Sequence, residues 1–254
     1  MNFHTEGYTV LRQAVPASVV QDVLDFLTRS ANLELSIAFP ELSTDAERVA
    51  HIAQLAHDKD FWLHDKITQD GMIGQLSLHV RTSPRLWSLL TPDVLLAVRV
   101  YMASPLISMH MAPAVRCVLP NNRYAMVPAH QDVEYNPHLR GPFVTCWVAL
   151  MDTSDQCGGV AVYPGSHRAP IQPVQYAGAW RKPVDTTGYV RTPVSVQAGD
   201  VIIFHHALMH ESLVNMSDHR RLSVDCRCFG ARTTTTKHYL DLQQWTVHNG
   251  NGEA

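Results

Sequence analysis

The chain has 254 residues, of which 46% are hydrophobic and 17% are charged, an ordinary mixture for a globular protein with a substantial core. Its formal net charge of −3 gives no reason to expect nucleic acid or an anionic membrane as a partner. The five cysteines include no Cys-x-x-Cys pair, which argues against a zinc ribbon or a thioredoxin-type motif. The sequence shows no signal-peptide pattern and no apolar run long enough to span a bilayer, so we predict a cytoplasmic protein with reduced thiols and no membrane partner.

We predict one domain over residues 1–254, beginning with a mostly helical flank at residues 1–105. Gly7–Leu11 is typical of a short strand ahead of the first helix. Ser18 with Gln21, and Thr44 with Glu47, have the spacing of capping boxes and predict two helix starts. Ser83-Pro84 and Thr91-Pro92 predict two more, because proline favours the first helical position.

After residue 105 the pattern changes to short segments rich in β-branched residues, separated by Gly, Pro and Asn turns. This pattern predicts a mainly β core at residues 106–230, a sandwich or barrel of the jelly-roll kind. Residues 165–193 have the composition of a long loop, a possible lid or binding loop. The predicted strands are Leu106–Met111, Ala114–Leu119, Phe143–Met151, Val160–Tyr163, Val194–Gln197, Val201–Phe204 and Arg221–Phe229.

The segment His130-Gln131-Asp132 is the strongest indication of chemistry. On a strand, positions i and i+2 share a face, so both side chains can reach one ion. A distant histidine would complete the two-histidine, one-carboxylate set of non-heme Fe(II) oxygenases, which leaves coordination positions open. His205, His206 and His210 compete for this third position. An arginine shortly after it, such as Arg221, could hold the far carboxylate of a co-substrate in a bidentate fork.

Several stretches resemble the phytanoyl-CoA dioxygenase family of Fe(II)/2-oxoglutarate-dependent oxygenases. They are "HQDVEYNP", "VTCWVALMDTSDQCGGVAVYPGSHR", "AGDVIIFHHALMHESLVNMSDHRRLSVDCRC" and, less closely, "FHTEGYTVLRQAVPASVVQDVLDFL". The resemblance implies a double-stranded β-helix (jelly-roll, cupin-like) core with an N-terminal helical region. It also implies Fe(II), 2-oxoglutarate and O2 as the cofactor and co-substrates.

Carried over to this sequence, the resemblance makes His130, Asp132 and His210 the iron ligands and the catalytic centre. It makes Arg221 the residue that binds the C5 carboxylate of 2-oxoglutarate, with the neighbouring Arg220 as its rival. Ser212 resembles the family's hydroxyl that contacts the same carboxylate. Trp147 is expected to wall the pocket or to pack in the core.

The residue that binds the C1 end of 2-oxoglutarate is not fixed by a motif, and Arg116, Arg123 and Met126 are the alternatives. Strand alternation places Arg221, Ser223, Asp225 and Arg227 on one face, so Asp225 and Arg227 should pair with each other, with another side chain or with a polar substrate. The candidate substrate contacts are Tyr135, Asp225, Arg227 and Trp180.

The sequence therefore predicts a dioxygenase that hydroxylates a C–H bond of a small-molecule substrate, with release of succinate and CO2. One alternative is a cupin-like metalloenzyme that does not use 2-oxoglutarate, and another is a non-catalytic jelly-roll binding protein. The sequence indicates neither the substrate nor the oligomeric state. It also leaves desaturation, epoxidation and cyclisation open as reaction types.

Overall fold

The structure, a computed structural model, describes residues 3–57, 66–177 and 180–250. Helices dominate the first hundred residues, as predicted, and strands dominate the rest. Within the described residues the α-helices are α1 Phe3–Glu6, α2 Ala17–Ala38, α3 Asp45–His57, α4 Lys66–Met72, α5 Leu78–Arg81, α6 Pro92–Met102 and α7 Asp132–Tyr135, and 3-10 turns lie at Pro84–Leu89, Arg123–Ala125 and Ser166–Arg168.

The strands form two main antiparallel sheets that face each other, as in a jelly roll. In the described chain the larger sheet has eight strands in the order β1-β11-β6-β13-β2-β15-β16, with β3 also paired to β13, and the smaller has the order β10-β7-β12-β4. The strands are β1 Tyr8–Leu11, β2 Ile107–His110, β3 Ala114–Val118, β4 His130–Gln131, β5 Leu139–Arg140, β6 Phe143–Ala149, β7 Val160–Val162, β8 Tyr176–Ala177, β9 Trp180–Arg181, β10 Thr192–Val194, β11 Val201–His205, β12 Met209–Ser212, β13 Arg221–Gly230, β14 Thr234–Thr235, β15 Tyr239–Asp241 and β16 Thr246–His248.

The predicted strands are all present within one to three residues, and the strand predicted at 194–197 differs most. β10 ends at Val194 because it pairs with β7 only as far as Val160. Val196 then makes an isolated bridge with Thr153. The chain has thus changed pairing partner within the predicted segment.

The larger sheet separates two apolar clusters, because successive side chains of a strand point to opposite faces. On β6, Val144, Cys146 and Val148 face the helices and pack with α2 and α6 residues, whereas Trp147 and Ala149 face the smaller sheet. The helices therefore cover the outer face, and the inner face is left to form a site between the sheets. Four of the five cysteines, Cys117, Cys146, Cys226 and Cys228, are free and buried in the helix-side cluster.

The helix caps confirm one of the two predicted capping boxes. The Thr44 N–H donates to Glu47 Oε2 at 2.8 Å, and the Glu47 N–H donates to Thr44 Oγ1 at 3.2 Å, the reciprocal pair of a capping box. The box predicted at Ser18 is wrong. α2 begins at Ala17 with Pro16 at the cap position and no side-chain cap, so Ser18 lies inside the first turn.

In its described part, the predicted loop at residues 165–193 has little regular structure apart from a 3-10 turn, the short strands β8 and β9 and the first two residues of β10. Part of it lies against β4. The Val184 N–H donates to the Ala129 carbonyl at 2.8 Å, and the Gln172 N–H donates to Gln131 Oε1 at 2.9 Å. Its movement as a lid stays a prediction. None of the described helices is long and apolar enough to cross a membrane.

Removal of a core side chain from α2 should destabilise the whole fold, because this helix covers the larger sheet. Leu27 is fully buried there, so we expect Leu27→Ala to lower the free energy of unfolding by about 2–5 kcal/mol. Leu33→Ala on the same helix is the matched control. Leu33 is 62% exposed, and its truncation should leave the urea unfolding midpoint nearly unchanged; similar midpoint shifts for both variants would contradict this packing.

Candidate metal centre

His130 and His210 lie side by side on neighbouring strands of the smaller sheet. They are direct partners in the antiparallel register of β4 and β12, so their side chains leave the sheet on the same side. Their ring centroids are 4.2 Å apart. Among the described residues, His130, Asp132 and His210 form the one cluster that could hold a metal ion, with ligand atoms all within 4.8 Å of one another.

Asp132 reaches this cluster by a different route from the one the sequence predicts. Only His130 and Gln131 are on β4, and Asp132 is the first residue of α7. Its Oδ1 lies 3.6 Å from His130 Nε2. The chain therefore turns from strand to helix between the two predicted ligands, and it is this turn, not a shared strand face, that brings the carboxylate to the imidazole.

Both imidazoles are prepared to bind a metal through Nε2. His130 Nδ1 donates to the Pro128 carbonyl at 2.8 Å, and His210 Nδ1 donates to the Leu208 carbonyl at 3.0 Å. Because a carbonyl only accepts, the ring proton is on Nδ1 and the Nε2 lone pair is free. Burial lowers the pKa of His210 to about 3, so this ring is neutral near neutral pH.

Asp132 is a buried carboxylate that is held ionised. Burial acts to raise its pKa, but the charge of Arg227 outweighs burial and holds the pKa well below its usual range. Arg227 Nη2 lies 3.3 Å from Asp132 Oδ1, and the Thr145 hydroxyl donates to Oδ2. One anionic carboxylate and two imidazoles are the donor set that suits Fe(II) with open positions.

Arg221 lies at the start of β13, buried inside the sheets. Its Nε donates to the Gly158 carbonyl at 2.7 Å, and Nη1 donates to Ser223 Oγ at 2.6 Å, but no carboxylate forms an ion pair with it within the described chain. Burial lowers its pKa to about 10, so it is still a cation at neutral pH. Arg220 points the other way and pairs with Asp45 of α3 at 2.7 Å, as strand alternation predicts.

The inner face of β13 continues as a cluster of buried charges. Arg227 Nη2 lies 3.8 Å from Asp225 Oδ2, so Arg227 pairs with Asp225 as well as with Asp132. Burial raises the pKa of Asp225 despite the nearby Arg227 and Arg116. In the described part of the chain Asp225 Oδ1 and Arg227 Nε are buried without hydrogen bonds, which leaves unused polar capacity next to the metal centre.

A small cavity of about 50 Å³ joins these groups. The Trp147 ring centroid lies 5.8 Å from Arg221 Cζ. Trp147 both lines the cavity and packs in the core between the sheets. Of the three alternatives for the C1 end, Arg116 lines the cavity, whereas Arg123 and Met126 do not. The sequence-predicted residues that line it are Arg116, His130, Asp132, Tyr135, Trp147, His210, Ser212, Arg221, Asp225 and Arg227.

Trp180 is the exception among the predicted site residues. It lies on β9, outside this cavity, with its ring 5.8 Å from Tyr124. Its predicted substrate contact is therefore not supported by its position. The sequence alone could not place it, because the loop that carries it has no periodicity to orient its side chains.

Sequence reasoning missed two polar residues that support the metal ligands. Thr145 binds the Asp132 carboxylate, and alternation on β6 could have found it, since it shares a face with Trp147. Gln131, fully buried between the two ligands, donates to the Ala207 carbonyl at 3.0 Å and accepts from Gln172. The Gln131 side-chain amide thus links β4 to the turn that precedes β12, through Ala207, and to the 172–185 loop, through Gln172.

Solved structures with the same fold include several non-heme oxygenases. The epimerase SnoN of nogalamycin biosynthesis aligns with a TM-score of 0.60 and 18% identity, over 92% of this chain and 81% of SnoN. EvdO2 from Micromonospora carbonacea, crystallised with 2-oxoglutarate, aligns with a TM-score of 0.61 and 17% identity, over 96% and 94%. At these identities the likeness establishes the jelly-roll fold.

Curated relatives match parts of the chain. Peroxisomal phytanoyl-CoA dioxygenase of Bos taurus is 25% identical over 168 residues, 62% of this chain and 48% of the relative. The 1-deoxypentalenic acid 11-beta-hydroxylase of Streptomyces exfoliatus is 32% identical over 118 residues, 40% of each chain. The chain spans about half the length, or less, of these two relatives.

The family comparison covers nearly the whole chain. The model of the phytanoyl-CoA dioxygenase (PhyH) family matches residues 3–223, a span that includes the metal cluster, Ser212 and Arg221. The resemblance seen in the sequence is confirmed: the chain belongs to the phytanoyl-CoA dioxygenase (PhyH) family.

Proposed function

We propose that the protein is an Fe(II)- and 2-oxoglutarate-dependent dioxygenase that hydroxylates a C–H bond of a small-molecule substrate, releasing succinate and CO2. The observation that carries this proposal is the convergence of His130, Asp132 and His210 beside the buried cation of Arg221. Two relatives bear the names of a dioxygenase and a hydroxylase, which supports the reaction class. A cytoplasmic location stays a prediction from the sequence.

In this proposal His130, Asp132 and His210 are the iron ligands. Bound iron with 2-oxoglutarate and O2 would supply the oxidant for the C–H bond. The Pro128 and Leu208 carbonyls keep both imidazole protons away from the metal side, and Thr145 and Arg227 keep the Asp132 carboxylate ionised and oriented. The centre therefore needs little rearrangement to accept a divalent cation.

Arg221 is proposed to bind the C5 carboxylate of 2-oxoglutarate. A buried guanidinium without a carboxylate partner is costly unless an anion completes its charge and hydrogen bonds. Ser212 lines the same cavity and would add a hydroxyl donor. Arg116 lines it too, and we propose it for the C1 end.

A different observation argues against each of the two alternative functions. In a cupin-like enzyme that does not use 2-oxoglutarate, no co-substrate carboxylate would neutralise the buried Arg221 cation. A non-catalytic binding protein would have no need for three convergent ligands whose imidazoles are oriented by main-chain carbonyls. Anaerobic titration with Fe(II) and then 2-oxoglutarate, followed by its visible charge-transfer band, tests the proposal, and absence of the band would refute it.

Loss of a ligand should abolish iron binding. We expect His210→Ala to weaken Fe(II) affinity by more than the roughly 10- to 100-fold that loss of an outer-shell partner costs, measured by anaerobic equilibrium dialysis. His205→Ala is the control, because His205 is a rival third ligand that lies outside the metal cluster. Iron binding that survives in His210→Ala and disappears in His205→Ala would reassign the third ligand.

Loss of the Arg221 cation should weaken 2-oxoglutarate binding with the metal site intact. We expect Arg221→Gln to raise the Kd for 2-oxoglutarate by about 10- to 100-fold, the effect of losing charge-assisted hydrogen bonds. The charge-transfer band gives the measurement, and Fe(II) affinity should be retained.

The neighbouring arginine provides the matched control. Arg220→Gln removes the same charge one residue away, but Arg220 pairs with Asp45 on the opposite face. It should lower the unfolding midpoint and leave the Kd for 2-oxoglutarate unchanged. Equal effects of the two variants on that Kd would argue against Arg221 as the specific contact.

A further inference from the structure

A second, wider cavity of about 310 Å³ adjoins the metal centre, and His130 and Tyr135 line both cavities. The inner cavity measures about 50 Å³ and its lining is assigned to the metal and 2-oxoglutarate, so the wider cavity is the space left for the body of a substrate. Pro173, Val174, Pro183 and Val184 supply apolar wall.

The far wall of the wider cavity is formed by residues 172–175 and 181–185 of the 172–185 loop, and two hydrogen bonds join these two segments to the metal-ligand segment. The backbone of Val184 bonds to Ala129, directly before His130. The backbone of Gln172 bonds to the Gln131 side chain, between the ligands. A side chain on this loop is therefore held at a defined distance from the reacting centre.

Arg181 is the half-buried cation of this wall. Its guanidinium stacks on the Tyr135 ring, with Cζ 3.6 Å from the ring centroid, which orients its plane. Among the described residues, Arg181 Nη1 is buried and has no hydrogen-bond partner. Two carboxylates line the same cavity, but neither forms an ion pair with Arg181 among the described residues, and that of Asp185 accepts from the Thr187 N–H at 2.9 Å.

The charge of the inner cavity also favours an anion. Three arginines, Arg116, Arg221 and Arg227, surround two buried aspartates, Asp132 and Asp225, and Glu211 pairs with Arg191 outside. Bound Fe(II) and the 2-oxoglutarate dianion would add equal and opposite charges. The filled centre would thus stay positive and would attract an anionic substrate and repel a cationic one.

We propose that the substrate is a small-molecule carboxylate whose carboxylate binds the Arg181 guanidinium while its apolar body extends along the wider cavity toward His130 and His210. This inference rests on the proposed function and specifies its substrate class. The Arg181 guanidinium is planar and already oriented, so it suits a planar carboxylate monoanion. A phosphate carries more negative charge than a single guanidinium can neutralise. Tyr135 is the positioning residue, since its ring holds the fork in place.

The test compares probes that share one apolar chain. Decanoate, methyl decanoate, decylamine, decyl phosphate and decanoyl-CoA are titrated calorimetrically into the anaerobic enzyme loaded with Fe(II) and 2-oxoglutarate. We expect decanoate to bind at least 10-fold more tightly than its methyl ester, and Arg181→Gln to abolish that difference. Equal binding of acid and ester, binding of none of the probes, or tightest binding of the phosphate or the thioester would overturn the proposal.

Variants separate recognition by Arg181 from general charge. Arg29→Gln removes one exposed positive charge from α2 and should keep the full preference for the acid. Arg181→Lys should retain part of it, and Tyr135→Ala should reduce it because the guanidinium loses its platform. A preference that persists in Arg181→Gln would overturn the assignment.

The charge-transfer band tells the two proposals apart. If the band forms in both wild type and Arg181→Gln, the co-substrate site is intact, and a missing preference for the acid refutes only the substrate class. If the band does not form in the wild type, the proposed function fails, whatever the probes do.

Discussion

The alternation of side chains along β13 is the constraint on which the rest of the site depends. Leu222, Val224, Cys226 and Cys228 pack against the helices, and the residues between them point into the space between the sheets. Both faces of this strand are buried, one apolar against the helices and one charged between the sheets. Burying the charged face is costly unless charges of opposite sign lie close together. Arg227 and the two aspartates at the metal centre accordingly occur together, with Arg227 between Asp132 and Asp225.

The two histidine ligands are oriented by the same local hydrogen bond. His130 and His210 are on neighbouring strands, and each imidazole bonds through Nδ1 to the main-chain carbonyl two residues before it. The ring nitrogen that carries the proton toward the backbone is thus set, in each imidazole, by its own segment of chain and does not depend on a distant partner. Only the carboxylate depends on side chains from other strands, namely Thr145 of β6 and Arg227 of β13.

Much of this could be predicted from the sequence, and the reason is periodicity. The period of two on β13 distinguishes Arg221 from Arg220, and the family motif selects His210 over His205 and His206. Where backbone direction changes, periodicity fails: Asp132 begins a helix instead of continuing a strand, and Ser18 lies inside a helix that Pro16 starts. Trp180 and Arg181 are adjacent in a loop without a pattern, and only the folded chain shows that Arg181, not Trp180, faces the cavity.

The way in which the 172–185 loop is attached has a consequence for how such sites diversify. The backbone N–H groups of Gln172 and Val184 bond to the ligand-bearing segment, and the Gln172 side chain closes the base of the loop on the Asp185 backbone, so the anchoring is confined to the two ends of the loop. The side chains that project into the wider cavity can therefore be exchanged while the anchor points stay where they are. Loop libraries or transplanted loops of equal length could alter which molecules are oxidised without rebuilding the iron centre.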